Sequence, residues 1–137
     1  MPNADDVTIV VDASTIVAAL VDGGTAGTWA EGLLAVEVLA APHLMPVEVA
    51  NVLRRSARGG DISNEVASLA HADLLGLRVE LFPYEPLAER TWELRANVTT
   101  YDAWYVALAE ALGAPLATLD MRLRTVPGLR CGFLTPG

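Results

Sequence analysis

The chain has 137 residues, of which 53% are hydrophobic and 19% charged, and its formal net charge is −8. This length and composition predict one globular domain over residues 1–137, large enough to bury a core of its own. All nine basic residues are arginine. The lack of lysine argues against P-loop enzymes and other classes that hold a phosphoryl group with a lysine.

Several features of the sequence favour the cytoplasm. The apolar stretches are interrupted well before the roughly 20 residues that a membrane span needs. The first residues are acidic, unlike those of a signal peptide. The single cysteine, Cys131, has no partner for an internal disulfide. We therefore expect a cytoplasmic protein with no membrane partner.

The first half of the sequence alternates between strand and helix patterns. The run Val7 to Val11 is continuously apolar and β-branched, as in a buried parallel strand, and Asp12 follows it. Ser14 is a suitable N-cap for a helix that runs to about Val21. Three further elements are predicted: a helix from Thr25 to about Val36, a strand from Val38 to Ala41, and a helix from Pro46 to Arg58 that stops at Gly59 and Gly60.

The second half continues the alternation. Thr99 and Asp102 have the spacing of a capping box, with Asp in place of the usual Glu or Gln. The predicted elements are a helix capped by Ser63 and weakened at Gly76, a strand from Val79 to Phe82, a helix from Pro86 to about Ala96, a helix from Thr99 to Leu112, a strand from Leu116 to Leu119 and a fifth strand from Leu129 to Phe133. This order predicts an α/β fold, with a mostly parallel sheet of four to five strands and helices on both faces.

Four acidic residues occupy positions that should meet at one edge of this sheet. Asp12 and Asp120 follow predicted strands, and Glu48 and Asp102 lie in the first turns of predicted helices. Ligands of α/β sheets bind at that edge. Each acid also has a purely structural explanation, since such positions favour helix caps and negative charge. Taken together, however, the four carboxylates predict a site for a divalent cation.

The acids stand in segments that resemble a known family. The segments VVDASTIVAALV, PHLMPVEVANVLRR and TTYDAWYVALAEALGAPLATLD, with the MRL that follows, resemble the conserved blocks of PIN-domain ribonucleases, specifically the VapC-type toxins of bacterial toxin–antitoxin pairs. The match covers almost the whole chain, and it implies a PIN-like three-layer fold. By this resemblance the metal-site acids are Asp12, Glu48, Asp102 and Asp120, and the polar groups near the site are Ser14 and Thr118.

The resemblance implies hydrolysis of RNA phosphodiester bonds, and the residue types indicate how. Oxygen ligands without His or Cys favour Mg²⁺, with Mn²⁺ as a substitute, over Zn²⁺. Such an ion activates a water molecule and offsets the charge of the transition state. We assign Asp12 and Asp102 as the main ligands, Asp120 as a ligand of a second ion or its water, and Glu48 as a water-mediated ligand and proton acceptor. Ser14 and Thr118 are expected to hydrogen-bond a carboxylate or a metal-bound water.

The negative net charge disfavours binding to a phosphate backbone, but bound cations would offset part of it. The candidate RNA-binding residues are Arg54, Arg55 and Arg58, at the end of one predicted helix, and Arg122, just after Asp120. Positive charge also suits the C-terminal end of a helix, so a structural role for the first three stays open. Three aromatic residues lie beside Asp102, namely Tyr101, Trp104 and Tyr105. We expect all three to pack in the core, although Trp104 could instead contact a partner.

The resemblance also implies a protein partner. That partner is a small antitoxin whose helix lies in an apolar groove and whose basic tail places an arginine among the acids. We expect a homodimer, and a heterotetramer or larger assembly with the antitoxin. Two predicted helices, Thr25 to Val36 and Ser63 to Leu75, have more apolar residues than one core-facing stripe needs; these are Trp29, Leu33, Leu34, Leu69 and Leu74.

Two other functions remain open at this stage. A DNA-directed nuclease of the flap-endonuclease kind would use the same acids, but it usually has additional acids and a DNA-gripping module for which 137 residues leave no room. A phosphoaspartyl-type phosphatase is a weaker alternative, because Asp12-Ala13-Ser14 lacks the second Asp of that class.

Overall fold

The computed structural model describes residues 7–36 and 38–137, and it contains one five-stranded, fully parallel sheet. The strands are β1 (Thr8–Val11), β2 (Val38–Pro42), β3 (Val79–Phe82), β4 (Leu116–Ala117) and β5 (Phe133–Leu134). Their order in the sheet is β3-β2-β1-β4-β5, so β1 is central. Val10 and Val11 are completely buried, as expected of a strand that is covered on both faces. The predicted α/β fold is confirmed.

In the part of the chain that the structure describes, six α-helices connect and cover these strands. They are α1 (Ala13–Val21), α2 (Thr25–Val36), α3 (Met45–Arg58), α4 (Asn64–Gly76), α5 (Ala88–Glu93) and α6 (Thr100–Leu112). Helix α1 packs against α2 and α3, and α3 also packs against α4. Over the ranges that the structure describes, every helix is too short or too polar to cross a bilayer. Since residues 1–6 lie outside these ranges, the prediction of one domain over residues 1–137 stays a prediction.

Two helix starts differ from the sequence prediction. The N-cap of α1 is Asp12 rather than Ser14, because the Asp12 carboxylate accepts the Thr15 backbone N–H at 3.0 Å. Helix α3 begins at Met45, so Pro46 is its second residue. Thr99 is the N-cap of α6, as predicted.

The predicted helix from Pro86 to Ala96 is shorter than expected. The structure has a 3₁₀ turn at Glu85–Leu87, followed by the short helix α5. Thr91 lies in this helix and is buried, with its hydroxyl donating to the Leu87 carbonyl at 2.8 Å. After Glu93 the chain continues in turns that are closed by local hydrogen bonds.

Strands β4 and β5 also differ from the predicted ranges. Strand β4 ends at Ala117 instead of Leu119, because the Leu119 N–H turns to the Ser14 hydroxyl at 3.1 Å and leaves the ladder. Strand β5 is Phe133–Leu134 rather than Leu129 to Phe133. The Arg130 N–H donates to the Glu110 carboxylate at 2.8 Å, and this bond takes Arg130 out of sheet pairing. Cys131 therefore precedes the strand.

A charged cluster fixes the C-terminal half of α6. The Arg90 guanidinium forms two bonds to the Glu110 carboxylate, at 2.7 and 3.1 Å, and one to the Gly128 carbonyl at 2.8 Å. Such a two-pronged arginine–carboxylate contact is geometrically specific. It ties α5, α6 and the segment before β5 together, about 12 Å along α6 from Asp102.

Candidate metal and catalytic site

The site begins where β1 and β4 end side by side. Val11 pairs with Ala117, so Asp12 and Thr118 leave the sheet at the same level. The Asp12 N–H donates to the Ala117 carbonyl at 3.2 Å, which continues the pairing by one step. Asp120 follows two residues after Thr118. Adjacent parallel strands thus bring two of the predicted acids to the carboxyl edge of the sheet.

Asp12 is the most constrained of the four acids. Its Oδ1 accepts the Ser14 hydroxyl at 2.6 Å, the Thr15 N–H at 3.0 Å and the Thr15 hydroxyl at 3.2 Å. Burial raises the pKa of Asp12, and its hydrogen bonds, including one from Thr118, lower the pKa by less. The carboxylate is therefore held in place by neutral donors, with no cationic side chain among them.

The hydroxyl groups around Asp12 also connect the two strand ends. Ser14 donates to Asp12 and accepts the Leu119 N–H at 3.1 Å. Thr15 donates to the Ala117 carbonyl at 2.9 Å. Thr118, which is completely buried, accepts the Asp120 N–H at 3.0 Å. Ser14 and Thr118 thus lie at the acids, where the sequence placed them, while Thr15 was not predicted.

Glu48 reaches the site from the first turn of α3. Its Oε1 accepts the Tyr105 hydroxyl of α6 at 2.7 Å. Burial raises the pKa of Glu48, and the charges of Asp102 and Asp12 raise it further, against the lowering effect of the Tyr105 bond. Tyr105 is itself buried, and its pKa is raised strongly by burial and by Glu48. The phenol therefore acts as a neutral donor that fixes the Glu48 carboxylate.

Asp102 lies in the first turn of α6, where its N–H donates to the Thr99 hydroxyl at 3.2 Å. Burial raises the pKa of Asp102, and the charges of Asp12 and Asp120 raise it further. The positive charge of Arg122 acts in the opposite direction. The charges of neighbouring acids thus raise the pKa of both Asp102 and Glu48.

Asp120 differs from the other three acids because it has a cationic partner. Its Oδ1 accepts the Arg122 N–H at 3.0 Å and the Arg122 Nε at 3.1 Å. These contacts lower the pKa of Asp120. The Arg122 side chain is 91% exposed, so nothing but this pair holds it. Arg122, predicted as an RNA-binding residue, lies at the edge of the acid cluster.

The chemistry of the donors suits a hard cation. The four side chains offer only carboxylate oxygen, which Mg²⁺ and Mn²⁺ prefer. Three of them have raised pKa values, and a cation would relieve the repulsion that contributes to two of these. In residues 7–36 and 38–137, no three acidic, His or Cys side chains already form a metal-binding group. Two of the carboxylates are turned to Tyr105 and Arg122 instead.

The remaining predicted residues lie outside this cluster. Arg54, Arg55 and Arg58 are exposed along the second half of α3. Tyr101 is 60% exposed, contrary to the expected core packing, because it lies in the solvent-facing first turn of α6. Trp104 packs edge-on against Tyr84, with the ring centroids 5.3 Å apart.

One residue of the predicted apolar surplus belongs to the core. Leu74 is buried, because it lies on the side of α4 that faces the core, with Ala70 one turn before it. Leu69 is on another face of α4 and is exposed, as expected of an apolar residue outside the core-facing stripe. Trp29, Leu33 and Leu34 are partly buried and pack against the core from α2.

The sequence prediction missed Thr15 and Tyr105. Thr15 stands three residues after Asp12, the spacing at which an N-cap accepts a hydrogen bond, so the signal was present. Tyr105 shows the apolar spacing of a core residue, and its hydroxyl reaches Glu48 only because the tertiary fold brings the start of α3 close to α6. Nothing in the local pattern indicates that contact.

Comparisons with known proteins identify the family of this chain. The family model described as PIN domain matches residues 9–129. Ribonuclease VapC1 of Mycobacterium tuberculosis is 47% identical over 123 residues, covering 89% of this chain and 92% of the relative. Ribonuclease VapC9 of the same species is 43% identical over 123 residues, covering 90% of this chain and 94% of the relative.

Solved structures show the same fold. PAE2754 from Pyrobaculum aerophilum has a TM-score of 0.71 at 26% identity, covering 96% of this chain and 92% of that one. A chain in the structure of VapBC2 from Rickettsia felis, bound to a DNA fragment from the promoter, has a TM-score of 0.64 at 15% identity, covering 92% and 98%. The family match, the two relatives and the shared fold lead to one assignment: the chain belongs to the PIN-domain family, among its VapC-type ribonucleases.

Proposed function

We propose that this protein is a metal-dependent endoribonuclease that acts in the cytoplasm as the toxin of a type II toxin–antitoxin pair. The observation that supports it best is the cluster of Asp12, Glu48 and Asp102, three carboxylates with raised pKa values at the carboxyl edge of the sheet. The relatives named ribonucleases support RNA as the substrate.

The proposed mechanism assigns a role to each acid. Asp12 and Asp102 would hold Mg²⁺ or Mn²⁺, with Asp120 completing the site. When bound, the ion activates a water molecule and offsets charge on the phosphodiester. Glu48 accepts a proton, because its raised pKa brings it closer to neutral pH and Tyr105 fixes its orientation. Ser14 and Thr15 keep the Asp12 carboxylate from rotating.

An antitoxin is the proposed protein partner. A groove of about 530 Å³ between α1 and α3 is lined mostly by apolar side chains, among them Val17, Val21 and Val52, and it ends at Ser14 beside the acids. An amphipathic helix fits such a groove. The acids beyond its end would attract an arginine from the same partner, as Asp120 already attracts Arg122. A related fold occurs in the VapBC2 structure of Rickettsia felis.

Exposed apolar side chains support a homodimer. Val47 at the start of α3, Leu75 at the end of α4 and Leu81 on edge strand β3 are 67%, 72% and 37% exposed. Leu75 and Leu81 line one small pocket of about 140 Å³. A second copy of the chain, and with antitoxin a heterotetramer or larger assembly, would cover this surface.

The decisive test is cleavage of RNA by purified protein. Asp102→Asn keeps the shape of the side chain but removes its charge, and should abolish cleavage with the circular dichroism spectrum unchanged. Asp73→Asn, at an exposed acid of α4, is the matched control and should cleave normally. EDTA should stop cleavage, Mg²⁺ or Mn²⁺ should restore it, and Zn²⁺ should not.

Three outcomes would count against the proposal. Cleavage by folded Asp102→Asn at the wild-type rate would refute the acid assignment. Activity that persists in EDTA would refute the metal requirement. Cleavage of single-stranded DNA with RNA left intact would favour a DNA nuclease.

A further inference from the structure

We propose that the groove between α3 and α4 binds the phosphate backbone of the RNA strand that enters the acid cluster, and this inference rests on the proposed ribonuclease function. The groove has a volume of about 470 Å³. Its lining combines small side chains, Ala50, Ala57 and Ala67, with the larger polar side chains of Arg54, Arg58 and His71. It is therefore open enough to admit an extended chain and is lined by donors.

The charge of this groove is opposite to that of the protein. The chain has a net charge of −8, yet no acidic side chain lines the groove. Within the described residues, Arg54 and Arg58 form no ion pair and no side-chain hydrogen bond, whereas Arg90 and Arg122 are both paired with carboxylates. Two unneutralised guanidinium groups four residues apart on one helix face repel each other. An anion between them would remove that repulsion.

Helix α3 connects the groove to the acid cluster. Glu48 lies in its first turn and Arg55 seven residues later, two helical turns and about 10 Å away on the same side of the helix. Arg58 and then Arg54 lie progressively further around the circumference of α3, on the side that faces α4. A strand that leaves Glu48 along α3 thus meets Arg55 first and then enters the groove.

The occupant that fits best is a phosphodiester backbone. Arginine presents several donors in a plane, which matches the oxygens of a phosphate. The groove lies further along α3 from the site where a phosphodiester is proposed to be cut, with Arg55 between them, so the same strand would reach both. Phosphate contacts position the strand without reading its sequence. The groove would therefore add affinity and register, and leave the choice of cleavage site to other parts of the surface.

The test measures RNA binding in the Asp102→Asn background, where no strand is cut. The double variant Arg54→Gln/Arg58→Gln is compared with Arg78→Gln/Arg95→Gln, which removes the same charge from exposed arginines outside the groove. A fluorescent single-stranded RNA is titrated at several NaCl concentrations. The groove variant should bind about tenfold more weakly at low salt, and its plot of log affinity against log salt should lose a slope of about 1.4, or ~0.7 per lost phosphate contact. The control pair should keep the parental slope.

Two results would overturn the inference: equal losses in the groove and control pairs, or full affinity and slope in the groove pair. If the groove variant loses binding to a polyglutamate peptide while its binding to RNA is unchanged, the groove is assigned to an acidic protein segment instead. Cleavage by the wild-type chain tests the ribonuclease function separately. An active enzyme with an unchanged groove variant therefore refutes only the groove.

Discussion

Asp12 and Asp120 occupy equivalent places in the fold but lie in opposite environments. Each follows one of two neighbouring strands, and each is the N-cap of the next helical segment. Asp12 is held by neutral hydroxyl and amide donors, and burial raises its pKa. Asp120 is paired with the exposed guanidinium of Arg122, which lowers its pKa. Burial sets the pKa of Asp12 against the lowering effect of Ser14 and Thr15, whereas the Arg122 contact sets that of Asp120.

This difference separates the carboxylates that have no cationic partner from Asp120, which is paired with Arg122. The charge of Asp12 is uncompensated and adds to the repulsion on Asp102 and Glu48. The charge of Asp120 is balanced by Arg122 within the chain. We therefore expect the Asp12 end to bind the first ion and to carry most of the catalysis, while the Asp120 end contributes less.

The largest expected effect is on cleavage. Asp12→Asn should lower the rate at least ~100-fold, since a direct ligand should matter more than the outer contacts that typically account for ~10- to 100-fold. Asp120→Asn should lower it only about tenfold. Single-turnover cleavage of a labelled RNA in Mg²⁺ measures both. Equal losses in the two variants would show that Asp12 and Asp120 act as one site. Asp120 would then contribute as much as Asp12 despite its pairing with Arg122.

The second prediction concerns the donor on Glu48. Tyr105→Phe removes the hydroxyl that donates at 2.7 Å, and this bond lowers the Glu48 pKa. The acid limb of the pH–rate profile should move to higher pH, and cleavage at neutral pH should fall about tenfold, as for loss of a hydrogen bond to a charged group. Tyr101→Phe, one turn earlier in α6 and exposed, is the control. If the pH–rate profile of Tyr105→Phe matches that of the wild type, Tyr105 has no role in the site.

The fold was predictable from the sequence because its signals are local. Strand β1 is a continuous apolar run, and Thr99 and Gly113 mark the two ends of α6 with an N-cap and a left-handed residue at a φ of 63°. Strand β5 was misplaced because the Arg130 N–H is taken by Glu110, twenty residues earlier. A pattern of apolar residues does not include such a contact.

The acids were predictable, but their environments were not. Position after a strand or in a first turn is enough to bring Asp12, Glu48 and Asp102 to one edge. The Tyr105 contact depends on where the tertiary fold places the start of α3 relative to α6, and the pairing of Asp120 with Arg122 depends on a side-chain conformation. Sequence spacing therefore located the site, while tertiary packing determined which carboxylates are buried.

The third prediction is that the two ends affect stability in opposite directions when metal is removed. Folding raises the Asp12 pKa from its ordinary value of 3.8, so the native state binds the proton more tightly and loses stability as pH rises from that value through the raised one. Asp12→Asn should therefore stabilise the metal-free protein at pH 7, because Asn carries no charge to bury and still caps α1.

Asp120 has the opposite sign, because its pKa is lowered. Its contribution is present above its ordinary pKa and is lost as pH falls through the lowered value. Asp120→Asn should reduce stability slightly, since solvent screens this exposed pair. Thermal unfolding in EDTA, measured from acid pH to pH 7, gives the sign of the stability change in each variant. A destabilised Asp12→Asn at pH 7 would contradict the assignment of burial as the dominant effect on that carboxylate.

The smallest expected effect tests whether Arg122 competes with the metal. Arg122→Gln removes the guanidinium from Asp120 and should tighten Mn²⁺ binding about two- to fivefold, the range expected for loss of an exposed ion pair. Calorimetric titration of the metal-free protein measures this without reference to activity. Arg124→Gln is the matched control, because Arg124 lies with Arg122 in the 3₁₀ helix Met121–Thr125 and contacts Thr135 instead of an acid. If both variants tighten binding equally, general charge accounts for the change. If Arg122→Gln weakens Mn²⁺ binding, Arg122 positions the Asp120 carboxylate for the metal and does not compete with it.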